Sequence, residues 1–366
     1  MNAGPRVGSV TLTVVVAFLA LTPWSPAPAN HIVMHGGPFG GVVVNLVVHP
    51  REPETLYVAA FGSGVYKSVD GGRRWIATSR GLDDLAVLTL AIDPIAPHLI
   101  YAGTDSGVFV SMDGGETWGR RGVAMADRNI RSFVVDPRRP TVLYAATDRG
   151  ILWSWDQGAS WAPRGSGTAS LDVRVLRLDP AHPARLFAAG FGGVFRSADS
   201  GRHWTSASRG LTDLRVRALA LDPTRPDVLY AGTSGGGVFE TLDGGGRWRP
   251  LNEGLRNLTV LSLLATPGGD LLAGTVGGVY RRPRRDAAGW ELVGDDVLTL
   301  TVTFVVHHSL RPGTLYAGTG GLVFVSNDHG RRWRELAVSV AEATDTRPAA
   351  PAAADDVGTH SIGERR

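Results

Sequence analysis

The residues best suited to chemistry in this sequence are three arginines that recur at one position of a repeat. Arg131, Arg174 and Arg217 lie roughly 43 residues apart, and each stands five residues before an Asp-Pro pair. A guanidinium group binds carboxylate and phosphate groups through two parallel hydrogen bonds. The spacing therefore predicts an anion-binding cluster, provided that the repeat brings the three side chains together.

The other repeats carry uncharged residues at this position: Val44, Leu88, Leu261 and Thr303. Because the three arginines belong to adjacent repeats, we expect them to form an arc. Three further arginines are expected to extend this arc: Arg128, Arg149 and Arg215. The alternative interpretation is that each arginine pairs with a nearby acid, since charged rims are usually paired or solvated. The acids in question are Asp172 and Asp213, with Asp105, Asp127 and Asp148 in loops on the same expected face.

Loop carboxylates provide a second candidate chemistry. A glycoside hydrolase needs an acid and a base about 5–10 Å apart across a cleft. Asp84 and Asp296 each end an Asp-Asp pair in equivalent loops of distant repeats, so they are the candidate catalytic residues. Nothing in the surrounding sequence indicates a dedicated acid–base environment. A non-catalytic binding function is therefore favoured over hydrolysis.

Exposed aromatic side chains would favour a third function, glycan or peptide binding. Trp155 occupies a turn position that usually faces outward, beside Trp153. Phe61 and Phe191 fall in glycine-flanked turns on the face expected to carry the arginines. We expect no metal and no cofactor, because the chain has no cysteine and the adjacent histidines at 307 and 308 lack a third ligand.

A turn motif, Ser/Thr-x-Asp-x-Gly-x-x-Trp, must position all of these residues. Its aspartates are Asp70, Asp113, Asp156, Asp199, Asp243 and Asp328. Its tryptophans are Trp75, Trp118, Trp161, Trp204, Trp248 and Trp333. The carboxylate can accept hydrogen bonds from the backbone N–H groups that follow it, and glycine permits a positive φ. We therefore interpret the aspartates as structural and expect the tryptophans to pack between neighbouring sheets.

The repeat that contains this turn predicts an all-β, seven-bladed β-propeller over residues 30–340. Each unit reads as four short strands of about 4–6 residues, and a seventh, eroded copy of the motif keeps only Trp290. Every unit begins with its first strand and ends with its fourth, so the ring closes without a strand shared between its first and last blades. Alternatively, His31 to His35 adds an edge strand to the last blade.

The two ends of the chain differ from the repeat. Residues 1–29 resemble a cleavable secretory signal, with Arg6, an apolar run to Leu21 and the small residues Ala27-Pro28-Ala29. This predicts a secreted or periplasmic monomer with no membrane span after cleavage. Residues 341–366 are rich in Ala, Pro and Asp and predict a disordered tail. The net charge of only +3 argues against nucleic acid as a partner.

The six motif copies resemble the BNR or Asp-box repeat. That repeat is shared by sialidases, xyloglucan-active glycoside hydrolases, sortilin-type receptors and the photosystem II stability/assembly factor family. In its blade number and export signal, this sequence most resembles the assembly-factor group. Proteins of that group have an arginine patch that binds protein. The resemblance implies a binding scaffold for a protein or anionic ligand on the channel-mouth face. Sialidases use a tyrosine nucleophile, and all seven tyrosines here occupy repeated strand positions, so that likeness stops at the turns.

Overall fold

Short β-strands joined by turns make up the described part of the chain. The structure, a computed structural model, describes residues 39–122, 127–166, 168, 171–284, 289–294, 300–336 and 339–341. These residues form 29 strands in seven sheets and no helix, so none of them belongs to a helix able to cross a membrane. The predicted all-β, seven-bladed propeller of four-stranded antiparallel blades is confirmed.

The first four blades follow one another along the chain. Blade 1 contains β1 (Val42–Val48), β2 (Leu56–Phe61), β3 (Gly64–Ser68) and β4 (Arg74–Ala77). Blade 2 contains β5 (Val87–Ile92), β6 (Ile100–Thr104), β7 (Gly107–Ser111) and β8 (Gly119–Arg121). Blade 3 contains β9 (Ile130–Val135), β10 (Leu143–Thr147), β11 (Gly150–Ser154) and β12 (Ala162–Pro163). Blade 4 contains β13 (Val173–Leu178), β14 (Leu186–Gly190), β15 (Gly193–Ser197) and β16 (Thr205–Ser206).

The last three blades repeat this arrangement, and one additional strand follows them. Blade 5 contains β17 (Val216–Asp222), β18 (Arg225–Thr233), β19 (Val238–Thr241) and β20 (Arg249–Pro250). Blade 6 contains β21 (Val260–Ala265), β22 (Leu271–Thr275), β23 (Gly278–Arg282) and β24 (Glu291–Val293). Blade 7 contains β25 (Val302–His308), β26 (Arg311–Thr319), β27 (Val323–Ser326) and β28 (Arg334–Glu335). The additional strand is β29 (Ser339–Ala341).

The first strands of the seven blades form the inner wall of a closed ring. Each contacts the first strand of the next blade, and β25 contacts β1. These strands therefore line a central channel. We call the end at which they begin the upper mouth and the end at which they finish the lower mouth. The turns between the second and third strands lie at the upper mouth, because antiparallel strands reverse direction at each turn.

The ring closes in a way that the sequence did not predict. Strand β29 pairs in parallel with β4, so the chain end adds a fifth strand to blade 1. The expectation that the first and last blades share no strand is therefore wrong, and Ala341, assigned to the tail, belongs to β29. The alternative closing segment at 31–35, the signal at 1–29 and the tail from 342 onward lie outside the described residues.

Apolar side chains between neighbouring blades form the core. Tyr57 of blade 1 packs in one buried cluster with Phe109 and Trp118 of blade 2. The closing interface is built in the same way, with Trp75 of blade 1 in one cluster with Phe304 of blade 7. Burying one large apolar side chain contributes about 1.5–3 kcal/mol. The blades are therefore held to one another by packing, while hydrogen bonds hold each blade together.

The turn of blade 2 shows how the repeated motif works. Ser111 Oγ donates to Asp113 Oδ1 at 2.8 Å and accepts from the Gly115 N–H at 2.7 Å. The same Asp113 oxygen accepts from the Thr117 N–H at 2.9 Å. Burial would raise the pKa of Asp113, but these hydrogen bonds outweigh burial and lower it. The carboxylate is thus occupied by its own turn.

The other five intact copies of the motif have the same hydrogen bonds, from Ser68, Ser154, Ser197, Thr241 and Ser326. All six motif tryptophans are buried. Their indole N–H groups donate in two ways. Four bond a glycine carbonyl of their own turn: Trp75, Trp161, Trp204 and Trp333. Trp118 and Trp248 instead bond the preceding blade.

Blade 6, which lacks the motif, uses a different set of bonds. Trp290 is buried and its indole N–H donates to Leu251 O at 2.6 Å. Arg281 donates to Asp270 Oδ2 at 2.7 Å and to Glu291 Oε1 at 2.9 Å. These ion pairs hold the outer strands where the Ser-Asp turn is missing. Residues 285–288 lie outside the described residues.

Candidate functional site at the upper mouth

A β-bulge in every first strand positions the candidate site residues. In each blade the ladder between the first and second strands skips one residue of the first strand. The skipped residues are Val44, Leu88, Arg131, Arg174, Arg217, Leu261 and Thr303. A bulge turns its unpaired residue away from the regular alternation of the strand. The three arginines therefore occupy one level of the ring, just inside the upper mouth.

Arg131 and Arg174 share one carboxylate. Asp172, two residues before Arg174, pairs with Arg131 Nη1 through one oxygen and with Arg174 Nη2 at 3.1 Å through the other. Only 11% of the Arg131 side chain and 12% of the Arg174 side chain are exposed. Two nearly buried cations thus share a single ion-pair partner.

Phe191 connects Arg174 to Arg217. This ring lies in the turn between β14 and β15. The guanidinium carbon of Arg174 is 3.9 Å from the ring centroid, and that of Arg217 is 5.5 Å away. Both distances are within the range of a cation–π interaction. Phe191 therefore holds two cations close together.

Arg217 has the least compensated charge of the three. Its Nε donates to Ser234 Oγ at 2.6 Å, and it forms no ion pair with any described residue. The nearby Asp213 pairs instead with Arg215 at 3.0 Å. Arg174 also has a buried Nε without a hydrogen-bond partner among the described residues. Free donors therefore lie on the Phe191 side of the mouth.

Burial acts on all three guanidinium groups, and the charge of a neighbouring arginine acts on Arg131 and Arg217 as well. Burial, followed by the charge of Arg174, lowers the pKa of Arg131 to about 10. Burial lowers the pKa of Arg174 to about 10. The pKa of Arg217 is lowered by burial and then by the charges of Arg174 and Arg215. The groups remain protonated at neutral pH, so an incoming anion meets partly desolvated cations, which strengthens its attraction.

The three arginines expected to extend the arc are less closely involved. Arg128 is half-buried in the turn before β9. Arg149 is exposed and lies 3.6 Å from Asp148. Arg215 is exposed and bonds Asp213 with two nitrogens. The structure brings Arg131, Arg174 and Arg217 together and leaves these three at the rim.

Carboxylates gather on the opposite side of Arg131. Asn129 Nδ2 donates to Asp105 Oδ1 at 2.6 Å, and the Asn129 N–H donates to Asp148 Oδ1 at 3.3 Å. Burial raises the pKa of Asp105 more than the Asn129 hydrogen bond lowers it. The mouth is therefore polarised, with Asp105 and Asp148 toward blades 2 and 3 and the unpaired Arg217 toward blade 5.

The structure describes one member of the candidate catalytic pair. Asp84 accepts hydrogen bonds from the Ala86 N–H at 2.9 Å and from Ser106 Oγ at 2.6 Å. Burial would raise its pKa, but hydrogen bonds led by that from Ser106 lower it. Asp84 is thus occupied by its loop, as the turn aspartates are. Asp296 lies outside the described residues.

Of the two spare tryptophans, Trp153 lies on β11 of blade 3 and Trp155 lies in the turn that follows it. Trp155 is 47% exposed, and its ring centroid is 5.1 Å from that of the half-buried Trp153. The Arg164 guanidinium stacks on Trp153 at 4.0 Å. This aromatic pair belongs to the outer rim and is separate from the upper mouth.

A larger cleft of about 690 Å³ lies at blade 6, beside the eroded turn. In its wall Arg281 pairs with both Asp270 and Glu291, while the exposed Arg284 and Arg331 face solvent at its edge. We place the candidate site at the mouth instead, because Arg131 and Arg174 are nearly buried there and Arg217 beside them has no ion pair with a described residue. Among the described residues no three His, Asp or Glu side chains are arranged to hold a metal ion.

The sequence did not indicate two parts of this site. The first is the pair of arginine–Phe191 contacts, although the glycines flanking Phe191 marked its turn. The second is the pairing of Asp105 and Asp148 with Asn129. Phe191, Asp105 and Asp148 also depart from the repeat, and this departure is the signal that the sequence offered. Only the folded blades show which side chains meet.

Two of the most similar solved structures are GH74 proteins. An ancestral GH74 enzyme superposes with a TM-score of 0.70 at 20% identity. The match covers 82% of this chain and 46% of that enzyme's chain. The GH74 xyloglucanase from Xanthomonas campestris gives a TM-score of 0.65 at 19% identity, over 83% of this chain and 55% of its own. This chain therefore spans about half the length of these enzymes.

Other similar structures are not described as hydrolases. YCF48 bound to a D1 peptide gives a TM-score of 0.54 at 20% identity, over 68% of this chain and 80% of its own. An extracellular domain of a putative hybrid two component system from B. thetaiotaomicron gives a TM-score of 0.64 at 17% identity. The match covers 78% of this chain and 38% of that domain's chain. No family model and no curated protein matches this chain. At such identities the likeness shows a shared propeller fold alone, and this fold hosts unrelated functions.

Proposed function

We propose that this protein is a secreted or periplasmic Asp-box propeller that binds an acidic protein segment at its upper mouth without chemical turnover. One observation carries the proposal: Arg174 and Arg217 meet on Phe191, and Arg217 has no carboxylate partner among the described residues. Guanidinium groups with free donors bind carboxylates through paired hydrogen bonds. Likeness to a peptide-bound YCF48 and to an extracellular domain is consistent with this function and location.

Arg217→Leu tests the proposal, because blades 2 and 6 already carry leucine at this position and the change removes no ion pair. The probe is a labelled hexaglutamate peptide, followed by fluorescence anisotropy at several salt concentrations. Losing one charge-assisted contact should weaken binding about tenfold. Replacing Arg131, Arg174 and Arg217 together with Ala should abolish it.

The matched control replaces three exposed arginines in turns of the outer rim: Arg202, Arg247 and Arg332. It removes the same charge from the protein, so it corrects for a general electrostatic effect. Equal weakening by the control and the mouth variants would refute the proposal. A folded triple mouth variant that binds the peptide as tightly as the native protein would refute it as well.

A glycoside hydrolase is the second candidate. Its support is the shared fold with GH74 enzymes and the two carboxylates bonded to Asn129. A carboxyl group whose pKa burial raises can act as a general acid, which makes Asp105 a better candidate than Asp84. Incubation with xyloglucan and other polysaccharides tests this function. Sugar release that disappears in Asp105→Asn would establish it, and binding without release would favour a glycan-binding module that uses the Trp153–Trp155 pair.

A further inference from the structure

Arg177 is a second arginine that breaks the symmetry of the inner wall. It lies on β13, two residues before the Asp-Pro turn at the lower mouth. The residues at the same position of the other blades are apolar: Val47, Ala91, Val134, Ala220, Leu264 and Val306. Blade 4 therefore places one cation in an otherwise apolar ring.

The charge of Arg177 has no acidic partner among the described residues. Its Nη1 donates only to the backbone oxygen of the adjacent Leu176, at 2.9 Å. Asp179, the nearest acid in the chain, accepts from the N–H groups of Ala181 and His182 instead. Burial lowers the pKa of Arg177. Arg177 is half-buried, and a partly buried cation without a counter-ion is unfavourable unless an anion approaches it.

Most of the wall on the opposite side of the lower mouth is apolar. A cavity of about 270 Å³ lies between blades 7, 1 and 2. Its walls are formed by Val47, Val48, Pro50, Ile92, Pro94, His307 and Ser309. Val47 is the blade 1 equivalent of Arg177, so cavity and cation lie at the same depth. In a ring of seven, blade 4 stands across the channel from blade 1.

We propose that the lower end of the channel binds a carboxylate with a short aliphatic tail, either a free organic acid or the carboxyl end of a polypeptide. The carboxylate would pair with Arg177, and the tail would lie against the apolar wall. A sugar or a free phosphate fits poorly, because only His307 and Ser309 of this wall could bond its polar groups. This site lies at the other end of the channel from Phe191 and does not depend on the function proposed for the upper mouth.

The experiment titrates the full-length protein with hexanoate. Two further probes are compared with it: hexanamide, which lacks the charge, and inorganic phosphate, which lacks the tail. Binding is followed by calorimetry. Hexanoate should bind saturably, and each of the other probes should bind about tenfold more weakly or worse. Arg177→Leu, which copies Leu264 of blade 6, should weaken hexanoate by about tenfold and leave the fold intact.

Arg202→Leu on the outer rim is the matched control and should bind hexanoate as the native protein does. A second arm compares the peptide Gly-Gly-Leu-Leu with a free and with an amidated carboxyl end. Binding of only the free-acid peptide assigns the site to a polypeptide end, whereas binding of hexanoate alone assigns it to a small acid. Undiminished hexanoate binding by Arg177→Leu, or no saturable binding of either acid, would overturn the proposal.

Discussion

Replacing Asp172 with Asn tests most directly whether the arginine cluster is an anion site or a structural ion-pair network. The change keeps the shape of the side chain and removes the charge that Arg131 and Arg174 share. It leaves two nearly buried guanidinium groups without an acidic partner at hydrogen-bond distance. We therefore expect the variant to be less stable than the native protein and to have a stronger affinity for anions.

The expected loss of stability follows from two contacts. A hydrogen bond between charged groups contributes about 1.5–3 kcal/mol, and Asp172 accepts one from each arginine. The amide oxygen of Asn can still accept one hydrogen bond, and Asp172 is 29% exposed, which weakens the pair through solvent screening. We expect the free energy of unfolding to fall by about 2–3 kcal/mol.

The assay is urea unfolding in the presence of sulfate, compared with urea unfolding in chloride at the same ionic strength. An anion that binds only the folded protein stabilises it by about 1.4 kcal/mol at ten times its dissociation constant. Sulfate should therefore restore more stability to Asp172→Asn than it adds to the native protein. Asp83→Asn is the control, because Asp83 is 63% exposed and its partner Arg120 lies on the outer strand β8. Equal sulfate effects on the two variants, or an unchanged stability of Asp172→Asn, would refute the reasoning.

Three further predictions concern the mouth, a turn and the ring closure. Burial raises the pKa of Asp105 in the folded state, so the charged form of this carboxyl opposes folding. Asp105→Asn should therefore raise the urea midpoint at pH 7, and this gain should disappear as the pH falls below about 4. Ser111→Ala removes a hydroxyl that bonds Asp113 and Gly115 and should lower the free energy of unfolding by about 1–2 kcal/mol, whereas a neutral outcome would contradict the role assigned to the turn. Deleting residues 337–366 removes β29, so the chain should unfold at lower urea while keeping its β-rich circular dichroism spectrum.

The fold was predictable because the same motif recurs many times in the sequence. Each copy of the turn combines a hydroxyl, a carboxylate, a glycine and a tryptophan, and six copies fix both the strand order and the blade boundaries. The level of Arg131, Arg174 and Arg217 was predictable for the same reason, since equivalent positions of a repeat occupy equivalent places in a ring. Their common position at a bulge was not, because a bulge depends on the register of two strands.

The sequence named Asp172 and Asp213 as partners, but it did not predict which arginine each acid pairs with, because long side chains cross between blades. Asp213 precedes Arg217 by four residues, yet it pairs with Arg215. Asp172 precedes Arg174 by two residues and pairs with Arg131 of another blade as well. Strand β29 escaped prediction for a related reason. A parallel strand of three residues has too little periodicity to be recognised without its partner β4.

Charge compensation, more than the number of arginines, decides which surfaces of this propeller are candidates for binding. Arg281 is as buried as the mouth arginines, but two acids neutralise it, so its function is to hold blade 6 together. Arg217 and Arg177 have no such acid among the described residues, and each occupies a position where other blades carry an uncharged residue. An uncompensated cation lowers stability in the free protein. Its presence at two levels of one channel is most simply explained by ligands that supply the missing negative charge.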